Sequence, residues 1–137
     1  SADTDVPLSL GPKASVIGCL AFPGQANIQG RLEGEIKADE ILVSRGGTNT
    51  RIQIAAGATI YGAAINALIF AYKVALRVGS MVTGEIWHTE LLPEAEHLFE
   101  GKSRRHEDPK SLTPARPLTL EEEEPLDEEP SDDIANA

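Results

Sequence analysis

Hydrophobic and polar positions alternate along Leu32-Glu33-Gly34-Glu35-Ile36-Lys37-Ala38-Asp39-Glu40-Ile41, with apolar residues at 32, 36 and 41 and a small one at 34. A period of two predicts a β-strand with one face buried and the other in water. The pattern returns downstream. Val82-Thr83-Gly84-Glu85-Ile86-Trp87-His88-Thr89-Glu90-Leu91 repeats it position for position, with His88 in the place of Ala38. The stretch from Ile65 to Val74 is a third copy, with Ala67 in the glycine position. Val16-Ile17-Gly18-Cys19-Leu20 opens the series and Phe99-Glu100-Gly101 closes it. The leading apolar residues are 16, 32, 65, 82 and 99, in steps of 16, 33, 17 and 17 residues. The double step conceals one more copy, Thr50-Arg51-Ile52-Gln53-Ile54, in which Ile52 takes the small position. About six units of roughly 17 residues define a repeat architecture.

Each unit holds about three short strands joined by tight corners. Leu32–Ile36 forms one side and Ile41-Leu42-Val43 the next, with glycine corners at Gly46-Gly47, Gly57-Ala58 and Gly79-Ser80. Glycine there allows the positive φ of a sharp turn. Three sides per turn predict an all-β fold, a triangular parallel β-helix of about six turns. Stacked turns lie about 4.8 Å apart, so the rod spans roughly 30 Å. If 32, 34 and 36 all point inward, a narrow core accounts for the small residues at 18, 34, 67, 84 and 101. The body runs from 14 to 103. Residues 1–13 carry Pro7 and Pro12 without a period and read as a disordered arm. Residues 104–137 are acidic and Pro-rich, lack the apolar content for a core, and also read as disordered; only Leu118–Glu124 has a helical composition, bounded by Pro117 and Pro125.

Composition changes the picture in three ways. Aromatic residues make up only 4% of the chain, which suits thin aliphatic ladders better than a globular enzyme core. The net charge of −10 is unevenly spread: residues 117–137 hold nine acidic groups and no Lys or Arg, while 1–116 holds 13 acidic against 12 basic. An acidic tail on a nearly neutral body argues against nucleic-acid binding by bulk charge. The single cysteine, Cys19, cannot form an internal disulfide, which suits a reducing compartment, and its apolar neighbours suggest a buried thiol. No apolar run reaches the ~18 residues of a membrane span. Ser1–Asp5 does not resemble a secretory signal, so a cytoplasmic location is expected. Val6, Leu8 and Leu10 form a faint apolar motif that could touch a membrane or partner.

Candidate chemistry is sparse. No glycine-rich phosphate loop precedes a helix, so no nucleotide cofactor is expected. His88, His97 and His106 lack metal-ligand spacing, and no metal site is expected. Glu33 and Glu35 alternate outward with Arg31 and Lys37 as a solvated face, not a catalytic dyad. No catalytic residue is assigned. The competing enzymatic reading is a hexapeptide-repeat acyltransferase, whose helix repeats an aliphatic residue every six positions and uses a histidine in a cleft. Here the steps wander and His88 is the sole candidate in the body proper. A carbohydrate-binding β-helix would need aromatic platforms beyond Trp87.

Function then falls on the ends of the stack. Val16, Ile17, Leu20 and Phe22 lie in the first turn, and Leu91, Leu92, Leu98 and Phe99 in the last. Neither end carries an amphipathic capping helix. Open strand edges with apolar residues favour end-to-end association, and filaments result if the symmetry does not close.

Three segments carry a family resemblance: Ile28-Gln29-Gly30-Arg31-Leu32-Glu33-Gly34-Glu35-Ile36-Lys37-Ala38, Gly79-Ser80-Met81-Val82-Thr83-Gly84-Glu85-Ile86-Trp87-His88, and the closing Leu98-Phe99-Glu100-Gly101-Lys102-Ser103-Arg104-Arg105. Over about 14–105 the chain resembles the bactofilins, bacterial polymer-forming cytoskeletal proteins. The resemblance implies a right-handed triangular β-helix that polymerises end to end without nucleotide into non-polar filaments. It also implies scaffolds in the cytoplasm or at the inner membrane that recruit cell-wall synthesis or remodelling proteins. Many members carry a hydrophobic membrane-targeting motif at the N-terminus; Ser1–Asp5 lacks one.

Overall fold

The computed structural model describes residues 6–112. Seven strands follow in chain order: β1 (Leu8–Leu10), β2 (Ser15–Ile28), β3 (Arg31–Val43), β4 (Thr48–Ile60), β5 (Ala63–Leu76), β6 (Met81–Pro93) and β7 (Leu98–Arg105). A one-turn 3-10 helix, Pro109–Leu112, comes last. Every strand pairs in parallel with the next, in the order β1-β2-β3-β4-β5-β6-β7. Consecutive parallel strands with no crossover element mean that each strand is itself one coil. The fold is an all-parallel β-solenoid of about six turns.

Turn length follows from register. Arg31 stands over Thr48 and Met81 over Leu98. One inward column runs Val16, Leu32, Asn49, Ala64, Val82, Phe99. A second runs Leu20, Ile36, Gln53, Ile69, Ile86. A third runs Ala26, Ile41, Ala58, Val74, Leu91. Most of their central members are fully buried and form one continuous core.

Within a turn, the expected three short strands are one ladder of 13 or 14 residues in β2 to β6. The chain bends inside the strand instead of leaving it. Gly34, Gly84 and Gly101 sit at such bends with φ between 125° and 146°. This corrects the reason for the small residues. A Cβ at Gly34 would overlap the carbonyl oxygen of Gly18, and one at Gly101 would overlap that of Gly84. The steric need is the close approach of stacked backbones at positive φ, not the width of the core.

The middle turns also shift. Arg51, not Ile52, stacks on Gly34, and it does so at φ 104°. Ile52 therefore faces outward, while Asn49 and Gln53 enter the core. In β5 the leading inward residue is Ala64 rather than Ile65, because Asn66 is an extra residue between Ala64 and Ala67. Asn66 adopts φ 50° and its N–H donates to Thr83 Oγ1 at 2.8 Å. Gly57 lies within β4, under the Glu40 carboxylate, rather than at a corner.

Both body boundaries move outward. Leu8 and Leu10, expected in a disordered arm, form β1 on Ala26 and Ile28 and pack against the core. After β7, residues 106–112 return onto the side of the solenoid and Pro109 is buried. The candidate helix at Leu118–Glu124 lies outside the described residues.

The open ends as candidate functional site

At the N-terminal end β1 covers only Ala26–Ile28 of the first full coil. Among the described residues nothing pairs with the outer edge of Ser15–Phe22. Val16 and Leu20 are half-buried and pack against the core, so their uncovered sides face off the end. Ile17 is 69% exposed and lies on the outward alternation beside Glu33. Phe22 is half-buried and borders a shallow hollow with Ala21, Pro23, Lys37, Ala38 and Lys110.

The C-terminal end has the same construction. β7 pairs only with Met81–His88, leaving Glu90–Pro93 of β6 with no strand beyond it among the described residues. Phe99 and Leu91 are half-buried on the core. Leu98 and Leu92 are exposed and face the sides of the solenoid. Of the eight candidate end residues, Val16 and Leu20 at one end and Leu91 and Phe99 at the other have side chains over the core. Each end thus presents a bare parallel edge around a half-exposed apolar centre.

Val6, Leu8 and Leu10 are not brought together as one exposed motif. Val6 is 64% exposed, but Leu8 and Leu10 are turned into the core by β1 pairing. Cys19 is exposed, contrary to the expected buried thiol. It stands over Glu35 in an outward column of the first coil. Glu35 itself, expected in water, is buried next to Ile52 in that column.

The histidines occupy three separate environments. His88 is buried, with Nε2 at 2.8 Å from Ser103 Oγ. Burial, and secondarily the Arg105 guanidinium, hold its pKa below the ordinary value. His97 Nδ1 donates to the Glu94 carbonyl at 2.7 Å, and His106 Nδ1 accepts the Asp108 N–H at 2.9 Å. Among the described residues no cluster of His, Cys, Asp or Glu is arranged to hold a metal ion. Among them, too, no helix is long and apolar enough to cross a membrane.

Sequence reasoning missed two features. One is β1, too short to show a period. The other is an outward apolar cluster, Ile52, Ile54 and Phe70, joined by Leu68 and Trp87. Its signal was present as apolar residues at solvent-facing positions of the alternation, but a one-residue error in the register of β4 concealed it.

A parallel solenoid with open edges at both ends belongs to the class of repeat proteins whose stack can be continued by another molecule. The family is specific: residues 8–104 match the bactofilin family, described as polymer-forming cytoskeletal, and the chain belongs to it. No curated protein and no solved structure matches the chain.

Proposed function

We propose that this bactofilin is a non-enzymatic cytoskeletal scaffold that self-assembles end to end, without nucleotide, into non-polar filaments. The observation that carries the reading is the pair of open ends. Unpaired N–H and C=O groups surround half-buried Val16 and Leu20 at one end and Leu91 and Phe99 at the other. Such an edge is a template for a further strand, and its apolar centre gains burial when covered. Only another solenoid has the matching cross-section. In the cell such filaments would localise cell-wall or cell-shape machinery from the cytoplasm, at the inner face of the membrane where partners require it. The Val6–Leu10 segment offers little to a bilayer, since two of its three large apolar side chains are already packed.

Negative-stain electron microscopy of the purified chain in nucleotide-free buffer tests the proposal. Filaments are expected. Phe99→Arg is expected to shorten or abolish them, because a guanidinium would be buried without a partner in the apolar contact. A strict monomer across concentration and salt would overturn the reading. Filaments of normal length from the variant would remove Phe99 from the contact. The acyltransferase alternative has no observation in its favour: His88 meets Ser103 inside the last turns rather than lining a cleft.

A further inference from the structure

The two ends of the solenoid are open on different sides. At the N-terminal end β1 adds a strand to one side alone, the side of the third inward column. Leu8, Ser9 and Leu10 stand over Ala26, Asn27 and Ile28, and Gln29 N–H donates to the Leu10 carbonyl at 2.8 Å. At the C-terminal end β7 covers the other two sides and then leaves the stack. Among the described residues the third side, Glu90–Pro93, therefore has no strand beyond it. Glu94 N–H donates back to the Leu76 carbonyl at 2.8 Å. By the alternation of a strand, the N–H and C=O of Leu91 and the C=O of Pro93 then face off the end. A hollow of about 420 Å³ lies here, lined by Leu91, Leu92, Pro93, Ala75, Arg77 and Glu94. The chain departs at the corner just before this edge. There Thr89 Oγ1 donates to the His106 carbonyl and Tyr72 Oη to Asp108 Oδ1, each at 3.0 Å, and residues 109–112 lie on β5 and β6.

We propose that Leu118-Thr119-Leu120 of the same chain, which lies outside the described residues, docks as a parallel strand on Glu90–Pro93 and completes the last coil. The inference does not depend on the polymer reading. Its first support is sequence: Pro117-Leu118-Thr119-Leu120 repeats Pro7-Leu8-Ser9-Leu10, the segment that covers the same side at the opposite end. In the matching register Leu118 follows Leu91 and Leu120 follows Pro93 inward, as Leu8 and Leu10 pack on the core. Thr119 then faces outward beside Leu92, as exposed Ser9 does beside Asn27. Pro117 falls at the strand start, where a proline is tolerated. The second support is reach. Residues 109–112 sit one and two coils from the vacant level, about 5–10 Å along the axis. The six steps from Leu112 to Leu118 span up to ~20 Å. A strand laid from the corner at Glu90 runs in the direction of β6, as a parallel pair requires. Charge sets its length, because Glu121–Glu124 would continue onto the corner of Glu94 and Glu96, where like charges oppose further pairing. Pro93 lacks an N–H and removes one bond from the pair. The tether offsets this weakness by holding the segment at a high effective concentration.

Disulfide trapping in the full-length chain tests the docking, with Cys19→Ser removing the native thiol. Leu92→Cys with Thr119→Cys places two thiols on stacked outward positions, about 4.8 Å apart at their Cα atoms and within disulfide range. Mild oxidation is expected to link them within one chain, in severalfold greater yield than Leu92→Cys with Thr113→Cys or with Ser131→Cys. Equal yields from the three pairs overturn the docking, and so does a Leu92–Thr119 link that joins two chains. Leu92→Cys with Ser9→Cys asks whether β1 of a second copy takes the edge instead; a link between chains in that pair, with none in the Thr119→Cys pair, overturns the proposal. Amide exchange checks the chain without new thiols. The Thr119 amide of the wild-type protein is expected to exchange severalfold more slowly than that of Ser131, and Leu118→Asp with Leu120→Asp is expected to abolish the difference. Equal exchange at Thr119 and Ser131 in the wild-type chain overturns the docking.

Discussion

Two residues in β4 carry the sharpest local conflicts. Gln53 occupies an inward column between Ile36 and Ile69, is fully buried, and neither its Oε1 nor its Nε2 has a partner among the described residues. Asn49, one inward position earlier, is also fully buried and reaches only the Leu32 carbonyl, at 3.4 Å. An unpaired buried amide costs about 1–3 kcal/mol. Gln53→Leu keeps the volume and removes the polar atoms, so it should raise the urea midpoint at unchanged m-value; a lower midpoint would show that the amide is satisfied after all. Arg51 conflicts through its backbone. It holds φ 104° in the column where Gly34, Gly84 and Gly101 hold similar angles. Such strain in a side-chain-bearing residue costs ~1–3 kcal/mol, against up to about 1 kcal/mol of extra chain entropy lost by glycine. Arg51→Gly should therefore stabilise by up to about 1 kcal/mol in the same titration, offset by the loss of the interaction that the Arg51 side chain makes. The reverse experiment, Gly84→Ala, should be severe. Its Cβ would overlap the Ala67 carbonyl oxygen at φ 125°, and a loss of at least ~2 kcal/mol is expected.

At the scale of the element, the last coil has a titration built into it. His88 follows Ala71 in its column and precedes Arg105, so a buried imidazole, whose charged form burial disfavours, stands beside a fixed positive charge. Burial first and Arg105 second lower its pKa from the ordinary 6.5. The folded protein then binds this proton less readily than the unfolded chain. The stability His88 contributes is complete above pH 6.5 and is lost as pH falls through the lowered folded value. Urea midpoints should fall between pH 7.5 and pH 5.5, and the His88→Gln variant should show less of that fall; equal slopes would mean that other groups dominate. The column position of His88 was legible in the sequence, and so were all the coils from β2 to β7. Φ-x-Gly-x-Φ units reveal a period even when each is weak. The register of β4 was not legible, because Asn49 and Gln53 are polar residues in core columns and Ile52 is an apolar one outside. A pattern read from hydrophobicity slides by one position when those three exchange roles. The extra residue Asn66 then moved the leading position in β5 as well. The end surfaces were legible as a place but not as side chains. Val16, Leu20, Leu91 and Phe99 lie over the core, whereas Ile17, Leu92 and Leu98 look equally apolar in sequence and point sideways. The return of residues 106–112 over Tyr72 and Trp87 left no signal, since Arg104-Arg105-His106-Glu107-Asp108-Pro109 has the composition of a linker.

For the whole molecule the open question of assembly is which ends meet, and the two ends allow it to be decided by size alone. Val16 and Leu20 form the centre of one end, Phe99 and Leu91 the centre of the other. Suppose like ends meet, as the proposed non-polar filament requires. Leu20→Arg then destroys only the contact between N-terminal ends, and pairs joined through their C-terminal ends survive as dimers. Phe99→Arg destroys the other contact and leaves dimers joined through N-terminal ends. Mixing the two variants changes nothing, because neither supplies what the other lacks. Suppose instead that unlike ends meet. Every contact then needs one good end of each kind, so either variant alone is a monomer. A one-to-one mixture would form a heterodimer from the intact N-terminal end of Phe99→Arg and the intact C-terminal end of Leu20→Arg. Analytical ultracentrifugation of three samples, the two variants and their mixture, separates these cases without any image of a filament. Dimers in all three are expected. Monomers that become dimers only on mixing would mean that the filament is polar and that each solenoid simply continues the coil of the one before it.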